Sequence, residues 1–156
     1  MEPATGARVT FPNTWARDQA CWCETLASLR VVQTITPYLL YEDADAALDF
    51  LSRAFGFEET TRNTSPDGRV SHAEMRYRGG EIHLGQPSPP SGPRKYGGTT
   101  VLLYVDVDDV DAHCARARAA GAEILDEPED QDYGARRYHC RDLEGHSWYF
   151  AQLLDR

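Results

Sequence analysis

Residues 36–56 and 100–121 spell out one pattern twice. Thr36-Pro37-Tyr38-Leu39-Leu40-Tyr41 leads through Glu42-Asp43 into the apolar-periodic segment Ala44 to Phe55, which stops at Gly56. Thr100-Val101-Leu102-Leu103-Tyr104-Val105 leads through Asp106 into Val107 to Ala120, which stops at Gly121. Each copy reads as strand, acidic turn, helix and glycine stop, which predicts helices near 44–55 and 108–120. Each is followed by strand-like segments that close on Gly80 to Leu84 in the first copy and Gly145 to Phe150 in the second. The repeat unit of about 65 residues is thus a βαβββ module used twice. Two copies are too few for a stacked array. The expected product is an α+β body of two pseudo-symmetric halves, with a cleft between them as the natural place for a ligand.

A chain of 156 residues has room for one such body without staples. We expect a single domain over 31–156, with module one over about 31–90 and module two over about 97–152, preceded by an extension over 1–30. The cysteines Cys21, Cys23, Cys114 and Cys140 offer no Cys-x-x-Cys pair or matched Cys/His spacing, so they read as reduced thiols of a cytoplasmic protein. No apolar run approaches the roughly 20 residues that cross a bilayer, and residues 1–30 lack the basic start and apolar core of a signal peptide. The formal charge of −9 argues against nucleic acid, whose phosphates need a clustered basic surface.

The extension begins as a loop broken by Pro3, Gly6 and Pro12, and Thr14 to Arg30 then reads as a helix. Trp15, Trp22, Leu26 and Leu29 fall on one stripe of it. Such a stripe packs on its own domain as a flap, or serves as a dimer arm or a lid.

Within the modules a period of two assigns the faces. With Gly79-Gly80 as a two-residue hairpin turn, Arg76 faces His83 and Met75 faces Leu84. Ala73, Met75, Tyr77, Ile82 and Leu84 then form an apolar face that carries the helix, and His72, Glu74, Arg76 and His83 form the opposite, polar face. Histidine beside a carboxylate and a guanidinium can do acid/base work, or can simply neutralise its neighbours on a wet sheet. In the second module Thr100, Leu102 and Tyr104 share the open face, while Val101, Leu103 and Val105 face the helix. Trp148 and Phe150 are then core, and Tyr149 joins Tyr38 and Tyr104 as amphipathic rings suited to a flat ligand.

The doubled βαβββ pattern, the strand His72-Ala73-Glu74-Met75, the Tyr133-Gly134-Ala135-Arg136 segment and Arg141-Asp142-Leu143-Glu144-Gly145-His146-Ser147-Trp148 together resemble the glyoxalase, bleomycin-resistance and extradiol-dioxygenase superfamily, the vicinal oxygen chelate proteins. The resemblance covers about residues 33–152 and implies curled mixed sheets around a cup, often completed in a homodimer. It also implies metal-ligand positions, which fall on Thr36, His83, Thr100 and Tyr149. Only His83 is a ready ligand, since a divalent ion needs three or more good N, O or S donors. The usual metal is therefore not expected, and no other cofactor is; His83 with His72 and Glu74 on one face is the alternative set. What the resemblance then implies is a cup of Tyr38, His72, Arg76, His83, Tyr104 and Tyr149 that binds a small aromatic or natural-product ligand, as in bleomycin resistance. A metal-independent cyclase or isomerase using His83 and Glu74 as acid and base is one alternative. A metal-dependent lyase or dioxygenase with displaced ligands is another.

Overall fold

In the computed structural model, which describes residues 33–154, Asp43 and Asp109 stand at the same point of the two repeats and each caps a helix. Asp43 accepts from the Ala46 amide and Asp109 from the Ala112 amide, satisfying a donor that a helix start otherwise leaves unpaired. The helices are α1 (Ala44–Phe50), continued by a π turn over Leu51–Phe55, and α2 (Val110–Ala119). Gly56 ends the first at φ 79°, a left-handed conformation that glycine takes without the steric cost of a Cβ.

The strands form two open mixed sheets. β1 (Tyr38–Leu40), β2 (Glu58–Thr64), β3 (Val70–Tyr77) and β4 (Gly80–Gly85) lie in the order β1-β4-β3-β2. The second sheet repeats this with β5 (Leu102–Asp106), β6 (Glu123–Asp130), β7 (Ala135–Arg141) and β8 (Ser147–Leu153) in the order β5-β8-β7-β6. In both, the first strand runs parallel to the last and the remaining pairs are antiparallel. The doubled α+β module inferred from the repeat is the observed architecture. The first strand of each sheet starts later than the pattern suggested. Pro37 lacks an amide for the ladder, and the Thr99 hydroxyl bonds both the amide and the carbonyl of Val101 at 3.1 Å, a local turn that competes with strand pairing.

One register differs from expectation. The hairpin turn is Arg78-Gly79, with Arg78 at φ 52°, so Tyr77 pairs with Gly80 and Glu74 lies opposite His83. The slip is by two residues, and an even slip leaves every side chain on its face. Ala73, Met75, Ile82 and Leu84 are buried as the alternation required, and so are Trp148 and Phe150. The two modules share one core: the Phe55 ring lies 5.2 Å from that of Trp148 and 4.7 Å from that of Phe150. Cys114 and Cys140 are free and buried; burial pushes the Cys140 thiol up to about 12, which removes the reactive thiolate at neutral pH.

Two reciprocal turns cross between modules. The Asp142–Glu144 turn after β7 reaches the start of α1, where Glu144 accepts from the amides of Glu42 at 2.7 Å and Asp43 at 2.8 Å. The Arg78 turn after β3 reaches the start of α2, where Arg78 pairs with Asp108. The predicted helix over 14–30, its apolar stripe, Cys21 and Cys23 lie outside the described residues. Among the described residues no helix is long and apolar enough to cross a membrane.

Candidate functional site

Alternation sends Tyr38, His72, Glu74, Arg76 and His83 to the face of the first sheet away from the core, and the structure brings all five together. The Tyr38 hydroxyl lies 3.2 Å from His72 Nδ1, and His72 Nε2 lies 3.3 Å from Glu74 Oε1. His83 Nε2 is 3.9 Å from the same carboxylate oxygen. Glu81 joins the group, 3.0 Å from His83 Nε2 and accepting from Arg76 Nη2 at 3.1 Å. Sequence reasoning left Glu81 out, although it has the same parity as His83 and so had to share its face. The Thr61 hydroxyl and then His72 hold the Glu74 carboxyl below its ordinary value, and His83 and then Arg76 do the same for Glu81. Both carboxylates are therefore charged at neutral pH, each with a partner able to balance it.

The second open face gathers Tyr104 and Tyr149, with ring centroids 6.4 Å apart and perpendicular. The Arg137 guanidinium stands 4.3 Å from the Tyr149 ring centre, and the His139 ring lies edge-on to it at 4.4 Å. Sequence reasoning left Arg137 out; its alternation with His139 and Arg141 on β7 is what assigns it here. The predicted site residues thus fall into two groups, one on each sheet. Glu81 of the first and Tyr104 of the second line one cavity of about 320 Å³, together with Tyr77 and Leu103. Tyr38 lines a neighbouring cavity of about 310 Å³ with Leu40, Tyr96 and Val101.

The four metal positions implied by the resemblance do not make a donor set. Thr36 and Thr100 lie in the loops before β1 and β5, and Tyr149 is flanked by Arg137, whose cation opposes a metal ion. Neutral hydroxyls are poor ligands for ions that favour imidazole, thiolate or carboxylate. Among the described residues the donors that do converge are Glu74, Glu81 and His83, within 4.8 Å of one another. The sequence-level set named His72 in place of Glu81; His72 instead bonds Glu74 and Tyr38.

Comparison with known proteins places the fold. The family model described as "Glyoxalase/Bleomycin resistance protein/Dioxygenase superfamily" matches residues 30–150. The Mycobacterium bovis protein Mb0911c is 35% identical over 131 residues, covering 80% of this chain and 86% of its own. The crystal structure of TioX from Micromonospora sp. ML1 superposes with a TM-score of 0.65 at 36% identity, over 78% of this chain and 99% of that one. TnmS3, an antibiotic binding protein from Streptomyces sp. CB03234, shares the fold with a TM-score of 0.57 at 22% identity, over 78% and 98% of the two chains.

Proposed function

Because the chain belongs to the glyoxalase/bleomycin resistance protein/dioxygenase superfamily, we propose that the open faces of its two sheets bind a small aromatic or natural-product molecule, without the metal usual in that superfamily. One observation carries the reading. Tyr38 and Tyr104 stand 48% and 49% exposed on those faces, each beside another ring and a polar group, so the aromatic surface is unspent on the core and open to stacking. Each ring pair with a ligand contributes roughly 0.5–1.5 kcal/mol beyond area burial. Arg137 beside Tyr149, His72 beside Tyr38, and Arg76 on the same open face as His72 suit a polar or anionic edge. The antibiotic-binding description of TnmS3 accords with this ligand class. We further propose that the protein acts in the cytoplasm as a homodimer, since Leu40 and Leu102 are exposed on strands at sheet edges.

Titration with anthraquinone-2-sulfonate, a planar ring system with one anionic edge, tests the reading. Saturable binding is expected, weakened about tenfold by Tyr149→Ala or Tyr104→Ala, equivalent to about 1.4 kcal/mol. Saturable binding that neither variant changes, or its absence for this and related planar anions, sinks the proposal. The juxtaposition of ionised Glu74 with His83 favours a second reading, a metal-independent cyclase or isomerase in which Glu74 takes a proton and His83 returns one. Turnover of a bound ligand that disappears in Glu74→Gln would select it.

A further inference from the structure

Three side chains on the second sheet form a relay that ligand stacking does not use. Ser147 Oγ lies 2.7 Å from His139 Nε2, and Asp126 Oδ2 lies 3.5 Å from His139 Nδ1 on the other side of the ring. Their order is set by the ladder. Asp126 on β6 is directly opposite His139 on β7, and His139 is opposite Tyr149 on β8, two residues from Ser147 on the same face. The β6–β7 pairing is irregular on both sides of Asp126, a local distortion of the kind that re-aims a side chain.

We propose that Ser147 is a nucleophile for acyl transfer from small carboxylic esters, with His139 as its base and Asp126 as the residue that positions the imidazole. A hydroxyl is too weakly acidic to attack unaided, and a base within hydrogen-bond reach, itself oriented by a carboxylate, is the arrangement that activates it. Ser147 lines a cavity of about 600 Å³, large enough for a small ester, whose walls include Arg94 and Arg141. Their positive charge favours a carbonyl oxygen that becomes an anion. Three carboxylates also line it: Glu123 pairs with Arg141 at 3.4 Å, and the oxygens of Asp142 and Glu144 accept bonds from backbone amides, Tyr41 and Trp148.

In the reaction Ser147 Oγ bonds to the ester carbonyl carbon while its proton passes to His139 Nε2. The carbon–oxygen bond to the alcohol breaks and the alcohol departs with that proton. Water, giving a proton to the same nitrogen, then cleaves the acyl-Ser147 ester, releasing the carboxylic acid and restoring the hydroxyl. The charged and titratable neighbours of His139 are Asp126 from β6, Arg137 and Arg141 from β7, and Tyr149 from β8. Burial lowers the imidazole below its ordinary value, Asp126 opposes that shift, and the two arginines add to it. The ring is therefore neutral at pH 7 and able to accept a proton.

The test is reaction of the full chain with an alkyl fluorophosphonate, in which the Ser147 Oγ–P bond forms as P–F breaks and fluoride leaves, followed by peptide mass spectrometry. Ser147 is expected to be modified at least tenfold faster in native than in heat-denatured protein. Hydrolysis of p-nitrophenyl acetate is expected to fall at least tenfold in Ser147→Ala. Asp126→Asn should move the midpoint of the labelling pH profile downward, because it removes a group that raises the His139 value. Native Ser147 left unmodified, or modified no faster than in denatured chain, overturns the proposal whatever the variants do. Unchanged labelling in a folded His139→Gln variant overturns the role of the base, and an unmoved pH midpoint in Asp126→Asn overturns that of the positioning residue.

Discussion

The Tyr41 hydroxyl donates to Asp142 Oδ2 at 2.6 Å with both residues buried, and this bond ties the end of the first strand in one module to the turn after β7 in the other. Trp148 Nε1 donates to the same oxygen at 3.1 Å. The other carboxylate oxygen accepts from the amides of Glu144, Gly145 and His146. Five donors on one carboxylate are what make a buried charge tolerable. Burial, and after it the Asp142 charge, raises the Tyr41 hydroxyl well above its ordinary value, so it remains a donor at any working pH.

Tyr41→Phe removes one charged hydrogen bond and should cost about 1.5–3 kcal/mol in urea unfolding. Asp142→Ala strands the Tyr41 hydroxyl, the Trp148 indole and three amides together, so its loss should be larger. A smaller loss for Asp142→Ala than for Tyr41→Phe contradicts this view of the junction.

His113 should make the fold acid-sensitive. Its Nε2 lies 3.2 Å from the Phe55 carbonyl, which only accepts, so Nε2 carries the hydrogen and Nδ1 accepts from the Tyr138 hydroxyl at 2.7 Å. Burial lowers its value from 6.5 to about 4. Between those values the unfolded chain binds a proton that the folded chain refuses, so this contribution is complete above pH 6.5 and declines as pH falls toward 4. The decline amounts to roughly 3 kcal/mol at most. Melting profiles against pH should show a slope in that window that His113→Gln reduces; an unchanged slope refutes the assignment.

Trp148 and Tyr149 are neighbours with opposite duties. Trp148→Ala should cost about 3–5 kcal/mol of stability as a large core truncation, while Tyr149→Ala should leave the melting temperature nearly unchanged, because its ring lies on the open face. A Tyr149→Ala variant that unfolds while Trp148→Ala stays folded would reverse the strand's faces.

Metal content is equally open to measurement. With hydroxyls at three of the four usual positions, and Glu81 already held by Arg76, purified protein should carry no stoichiometric nickel, zinc, iron or manganese. About one ion per chain in elemental analysis, lost in His83→Ala, would assign Glu74, Glu81 and His83 as displaced ligands and favour a metal-dependent lyase.

The proposed homodimer should appear in light scattering at micromolar protein as twice the 17.5 kDa chain mass. A monomer mass rejects it, and truncation near Val31 would show whether the leading extension contributes.

Faces were legible in the sequence and registers were not. Period two separated Met75 from Glu74 and Trp148 from Tyr149 without reference to partners, because each residue's direction follows from the pleat alone. Pairing depended on which residues formed the turn, and Gly79-Gly80 competed with Arg78-Gly79. The latter places an arginine in a left-handed conformation that no glycine signal announces. The division of the candidate site into two groups was hidden for a different reason. Tyr38 and Tyr104 are both outward on their own strands, but their mutual placement depends on how the modules dock. That docking uses contacts such as Asp43 with Glu144, 101 residues apart, which no local pattern encodes.

The two reciprocal turns carry opposite chemistry, and this bears on how a doubled chain stays doubled. At one crossing the first module offers the Tyr41 hydroxyl and two amides to the carboxylates of the second; at the other it offers the Arg78 cation to Asp108. At these positions the first module is the donor partner and the second the acceptor. Two first halves brought together in the same way would set Arg78 against a turn that also presents Glu42 and Asp43, but would leave the Tyr41 hydroxyl and those amides without a carboxylate. Two second halves would bring Asp142 and Glu144 up to Asp108 and Asp109, acid against acid. The copies have thus become complementary and no longer interchangeable, so at these crossings either half recognises the other in preference to itself.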